Sequence, residues 1–90
     1  ETVKEYSLAQ NYPNPFNPST KISWQSQLDA QTSLKIYDAL GNEVATLINE
    51  FKPAGSYEVD FNASNLTSGV YLYKIEAGNF SQTRKMLLIK

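Results

Sequence analysis

Glu58 and Asp60 stand two residues apart, the arrangement nearest to a general acid–base pair in the sequence. Acid catalysis needs one carboxyl desolvated, so that its pKa rises, beside a partner that stays ionised. On a strand, positions i and i+2 share one face, and here the alternating Tyr57, Val59 and Phe61 take the apolar side. Both carboxylates are therefore expected as solvated surface. Asp38, Gly41 and Asn42 have the composition of a calcium loop, but two side-chain oxygen donors fall far short of the roughly 6–8 ligands that calcium takes. A tight turn is the better reading. With no Cys and no His in 90 residues, thiol nucleophiles, disulfides, thiolate or imidazole metal sites and His-based triads are all removed. No catalytic group, no metal site and no cofactor is expected.

Eight Lys and Arg against nine Asp and Glu give a net charge of −1, so no basic excess exists to neutralise phosphates, and nucleic acid is not an expected partner. No apolar run approaches the roughly 20 residues of a membrane span. An apolar fraction of 41% with 19% charged residues is that of a globular chain rather than a disordered one. The sequence starts at Glu1 without Met and without a basic-then-apolar leader, and reads as a fragment of something longer. One binding chemistry stays open. Trp24 and six tyrosines could form a sugar-stacking platform, which would make this a carbohydrate-binding or other accessory module of a secreted polymer-degrading enzyme. The competing reading packs Trp24 in the core beside Ile22, with Tyr57, Tyr71 and Tyr73 on inner faces. Three stretches, beginning at Asn62, Asn65 and Asn79, fit the glycosylation sequon, a three-residue match that is given no weight.

The elements that must position these residues are strands. Ile22, Trp24 and Ser26 alternate with Lys21, Ser23 and Gln25; Leu34 and Ile36 with Ser33, Lys35 and Tyr37. Tyr57, Val59 and Phe61 alternate with polar residues, and Tyr71, Tyr73, Ile75 and Ala77 with Val70, Leu72, Lys74 and Glu76. Period-two patterns rich in aromatic and β-branched residues mark half-buried strands. Turn signals fall between them at 38–42, 52–55, 65–69 and 78–79, and Gly69 is expected to serve a turn that needs positive φ. The fold class predicted is an all-β, immunoglobulin-like antiparallel sandwich of about seven strands. Residues 42–51 also carry Val44, Leu47, Ile48 and Phe51 at helical spacing, but Gly41 before and Pro53 and Gly55 after favour a strand.

Gly78-Asn79 predicts a two-residue hairpin with a primed turn, which sets Ala77 opposite Phe80, Ile75 opposite Gln82 and Tyr73 opposite Arg84. Arg84 then joins the tyrosine face, so a bulge between Gln82 and Met86, or an open edge there, is expected. The lead-in at 10–20 holds three of the four prolines and three asparagines. It excludes helix and central strand and reads as an ordered polyproline-like lid, with Tyr12 and Phe16 lying on the sandwich and Asn side chains bridging backbone groups. Residues 1–7 read as the end of a polar linker.

QNYPNPFNPSTKISW (10–24), LKIYDALGNEVATL (34–47) and SGVYLYKIEAGNFSQTRKMLLIK (68–90) together resemble the type A C-terminal sorting domain of the type IX (Por) secretion system, across residues 8–90. The residues that carry the resemblance are Asn11, Pro13, Asn14, Pro15, Phe16, Asn17 and Pro18, then Tyr37, Asp38 and Gly41, then Gly69, Val70, Tyr71 and Tyr73, and the closing Lys-Met-x-Leu-x-Lys end. Many members carry Trp-Asp near residues 57–62, where this chain has Tyr57 to Asn62, with Phe61 as the bulky residue. The resemblance implies a non-catalytic address at the end of a secreted Gram-negative protein. It implies as partners an N-terminal cargo in the same precursor and the outer-membrane translocon with its shuttle and sortase components. Cargo would pass the periplasm, reach the cell surface or medium, and then lose the domain and be attached to the surface. A monomer is expected. Lys85, Met86, Leu87, Leu88, Ile89 and Lys90 form a segment apolar on both faces and bracketed by lysine. At a sheet edge such a strand invites strand addition, and it is the expected element read by the translocon.

Overall fold

The computed structural model describes residues 6–90. Of the linker end read over residues 1–7, residues 1–5 lie outside the described residues, whereas Ser7 pairs with Gln25 in a sheet. Among the described residues, seven strands form and no helix: β1 (Ser7–Leu8), β2 (Ser19–Ser26), β3 (Ala30–Asp38), β4 (Glu43–Lys52), β5 (Gly55–Asn62), β6 (Gly69–Ala77) and β7 (Phe80–Leu88). One sheet has the order β1-β2-β5 and the other β4-β3-β6-β7, all paired antiparallel. The fold is the expected all-β sandwich. The apolar residue of each alternation faces inward: Ile22 and Trp24 from β2, Leu34 and Ile36 from β3, Phe61 from β5, Tyr71, Tyr73 and Ile75 from β6, Met86 and Leu88 from β7.

β4 explains its own ambiguous spacing. Its pairing with β3 slips between Leu34 and Lys35 and again between Ile36 and Tyr37, so that Leu47 and Val44 are the extra residues of two bulges. Each bulge shifts the period-two pattern by one, and a doubly bulged strand imitates helical spacing.

The last hairpin keeps the expected register, Ala77↔Phe80 through Gly69↔Leu88, without any slip. Gly78 has φ +62° and, among the described residues, no non-glycine has positive φ, which places the positive φ at the first turn residue only, as a type II′ turn requires. Of the bulge or open edge expected between Gln82 and Met86, the bulge is absent, and β7 lies at the edge of its sheet. Arg84 stays on the inner face, half-buried, because its Nε donates to the Leu8 carbonyl, delivered by β1 from the facing sheet. A buried-side guanidinium is tolerated once a carbonyl meets it.

The lead-in is ordered, but it is a run of bends, with its three Tyr/Asn–Pro peptides cis, rather than a polyproline-like stretch. Phe16 is buried against Phe61 as expected. Tyr12 is not on the sandwich: it is 81% exposed, because residue 12 forms a bridge to Lys21 on the solvent side of β2.

Candidate functional site

β7 ends its sheet, and a strand in that position normally leaves a row of unpaired backbone groups. Here the lead-in fills part of the row. Gln10 Nε2 donates to the Lys85 carbonyl at 2.7 Å, and the Leu87 amide donates to Asn14 Oδ1 at 2.9 Å. The Phe16 amide then donates to the Leu87 carbonyl at 2.9 Å, and the Ile89 amide to the Phe16 carbonyl at 3.0 Å. Residues 85, 87 and 89 are the ones whose backbone faces away from β6. Pro13 and Pro15 have no N–H to offer an adjacent strand, and the carboxamides of Gln10 and Asn14 stand in for peptide groups. The Asn/Pro-rich segment is thus a substitute strand. The strand-addition expectation for Lys85 to Lys90 therefore meets an edge that is covered from Lys85 to Ile89.

The substitute strand is itself held from beneath. The Tyr73 hydroxyl donates to the Ala9 carbonyl at 2.7 Å and accepts the Asn11 amide at 2.8 Å. Asn11 Nδ2 donates to Thr20 Oγ1 and to the Pro13 carbonyl, and Thr20 Oγ1 donates to the same carbonyl. Burial pushes the Tyr73 phenol above its ordinary pKa, against a smaller opposite pull from the Asn11 amide and the Arg84 charge. At the β3–β4 turn, Asp38 accepts the Asn42 and Leu40 amides, both at 2.9 Å, and Gly41 takes φ +92°. The Asn42 amide is the main cause holding the Asp38 carboxyl below its ordinary pKa. This is the tight turn that the spacing predicts.

These contacts sort the motif residues by what they touch. Asn11, Phe16, Tyr71 and Tyr73 are buried and hold the fold; Asp38 and Gly41 build a turn, with Tyr37 half-buried beside it. Gly69, at φ +153°, starts β6. Pro13, Asn14, Pro15 and Asn17 are exposed, while Pro18 is half-buried and its carbonyl accepts the Ala63 amide. The terminal six residues divide in the same way. Met86 and Leu88 are core, while Leu87 is 36% and Ile89 50% exposed. Lys90 is tied down, its amide to Ser68 Oγ and its ammonium to the Ser64 and Leu66 carbonyls. Lys85 has no ion pair among the described residues.

What remains outside is one strip on the solvent face of β6 and β7. Val70, 42% exposed, pairs with Leu87, and Leu72 pairs with Lys85 on one side and Tyr37 on the other. A concavity of about 200 Å³ lies between Asn14, Val70, Lys85 and Leu87, with Met86 beneath. The strip is apolar, with the Lys85 ammonium beside it. Such a surface can bind a partner. Sequence reasoning missed Gln10, Leu72 and Arg84, whose roles depend on partners 13 to 76 residues away.

The platform required for stacking sugars is not formed at Trp24, which is 2% exposed and lies against the Tyr57 ring, with centroids 5.6 Å apart. Among the described residues, no three His, Cys, Asp or Glu come together as metal ligands, and no helix is long and apolar enough to cross a membrane.

With this geometry in place, comparison with known proteins gives two findings. The family model described as the secretion system C-terminal sorting domain matches residues 10–90. A solved structure of PorZ, a bacterial surface component of the type-IX secretion system of Porphyromonas gingivalis, is similar with a TM-score of 0.63 and 24% identity. The match covers 94% of this chain and 11% of that one, and it shows the fold. No curated protein matches the sequence.

Proposed function

The chain belongs to the secretion system C-terminal sorting domain family, and from that membership we propose which of its surfaces the secretion machinery reads. As a member it is a C-terminal sorting signal of the type IX secretion system, and its cargo is secreted across the outer membrane. Our reading is that recognition takes place on the folded domain, at the outward strip formed by Asn14, Val70, Lys85, Leu87 and Ile89. The observation that carries it is the division inside the closing motif: Met86 and Leu88 are consumed by the core, whereas Leu87 and Ile89, bonded to the lead-in through their backbone, stay exposed at the surface. Strand addition at Lys85 to Ile89 is disfavoured by the substitute strand, so a face rather than an edge is offered. The domain carries out no chemistry itself. Passage through the periplasm as a monomer, handling by translocon, shuttle and sortase components, and later removal with surface attachment of the cargo complete the proposal.

The test is a transplant. Residues 1–90 are fused to the C-terminus of an exported fluorescent protein in a host with a type IX system, and fluorescence is assayed in the periplasm, at the surface and in the medium. The unaltered domain is expected to carry the cargo out. Leu87→Glu with Ile89→Glu, in a domain still folded by circular dichroism, is expected to leave it in the periplasm. Export by that variant at the unaltered level would overturn the strip as the recognised surface.

A further inference from the structure

The sandwich has four sheet edges, and three are guarded by different means. β1 is only two residues long. β4 carries two bulges, and Glu50 and Lys52 sit opposite the buried Thr32 and Ala30. Charges pointing inward and bulges are both devices that block strand pairing. β7 is covered from Lys85 to Ile89 by the lead-in. β5 has none of these. All eight of its residues pair with β2 without a slip, Ser19↔Asn62 through Ser26↔Gly55, and among the described residues no hydrogen bond reaches the backbone on its outer edge.

We infer that the outer edge of β5 is a strand-addition site for an extended partner segment with Lys or Arg at alternate positions and apolar residues between them. The charge follows from the solvent face of β5, which presents Ser56, Glu58, Asp60 and Asn62. Lys21 stands opposite Asp60 and pairs with Glu58 at 3.3 Å, leaving two carboxylates to one ammonium. A second copy of β5, paired antiparallel about Val59, would set Glu58 against Asp60, and like charges directly opposite are destabilising. A basic strand meets the opposite situation. A concavity of about 320 Å³ on that face, bounded by Ser7, Ser23, Gln25, Ser56 and Glu58, offers polar partners to a long basic side chain. On the inner side, Tyr57 and Val59 are only half-buried, and alternate apolar side chains of an added strand would cover them. Main-chain bonds then supply affinity and the alternating faces supply specificity.

β5 belongs to the other sheet from the Asn14–Leu87 strip, and its occupancy is read without secretion, so the two readings fail separately. The 90-residue chain is mixed with the capped peptides Lys-Val-Lys-Val-Lys-Val-Lys and Glu-Val-Glu-Val-Glu-Val-Glu, and amide exchange is followed residue by residue. The lysine peptide is expected to slow exchange at alternate residues of 55–62, and the glutamate peptide to leave them unchanged. Glu58→Lys with Asp60→Lys is expected to reverse the preference, with about a tenfold change in affinity for each peptide. Protection on β4 or β7 instead, equal binding of both peptides, or no protection of β5 at millimolar peptide would overturn the assignment. So would a concentration-dependent dimer that protects β5 without any peptide.

Discussion

The Tyr73 hydroxyl ties the start of the lead-in to the centre of the core, bonding the backbone at both Ala9 and Asn11. Removing it leaves a carbonyl and an amide facing an apolar interior, and an unsatisfied buried group costs about 1–3 kcal/mol. Tyr73→Phe is therefore expected to lower stability by about that amount in urea unfolding at neutral pH. The same group sets a pH dependence. A phenol whose pKa is raised on folding holds its proton more tightly when folded. The stability it contributes is complete below the unfolded value of about 10 and is lost as pH rises through the folded value. The unaltered protein should lose stability above pH ~10 more steeply than Tyr73→Phe, which urea midpoints across the alkaline range would measure. An equal slope in both proteins would remove Tyr73 from that account.

Among the elements, the lead-in is the unusual one, because side chains do part of the pairing that backbone does elsewhere. Asn14 gives this a sharp test. In Asn14→Ala the Leu87 amide loses its acceptor, at a cost of about 0.5–1.5 kcal/mol, and its exchange should accelerate. The Ile89 amide, bonded to the Phe16 carbonyl, should be affected less. Asn14→Asp keeps an acceptor oxygen and should keep the protection. The strands and the hairpin register were legible because one residue in two is apolar and a two-residue turn leaves a single register. What sequence could not disclose came from contacts between remote segments. Arg84 stays inward without a bulge because β1 brings the Leu8 carbonyl to it. Tyr12 points outward although Phe16, four residues on, is buried. The density of asparagine among prolines signalled that backbone groups would be bridged, but not that the bridged groups belonged to β7. The division of the closing motif into core and surface needed the register with β6, after which Met86 and Leu88 fall inward and Leu87 outward.

At the scale of the whole molecule, 38 Å in its longest dimension, the two ends differ. Tyr6 stacks on Phe80 with centroids 4.8 Å apart, so the chain leads into β1 beside the β6–β7 hairpin. Phe16 bridges Leu88 at the opposite end of β7. The outward strip around Leu87 and Ile89 therefore lies far from the point at which an N-terminal cargo would be attached, and a bulky cargo need not cover it. The near end has exposed apolar residues too. Leu28 and Phe51 are each 62% exposed, on segments adjoining Ala30 and Lys52, which pair at that end of β3 and β4. If exposed apolar area alone made the signal, both ends would serve equally. Placement predicts otherwise. Leu28→Glu with Phe51→Glu adds the same two charges as Leu87→Glu with Ile89→Glu, and each exposed change is expected to move stability by no more than about 0.5 kcal/mol. In the fluorescent fusion, the first pair should leave export at the unaltered level while the second abolishes it. Equal loss in both variants would mean that the machinery responds to overall charge or apolar area, and the far end would lose its claim as the address.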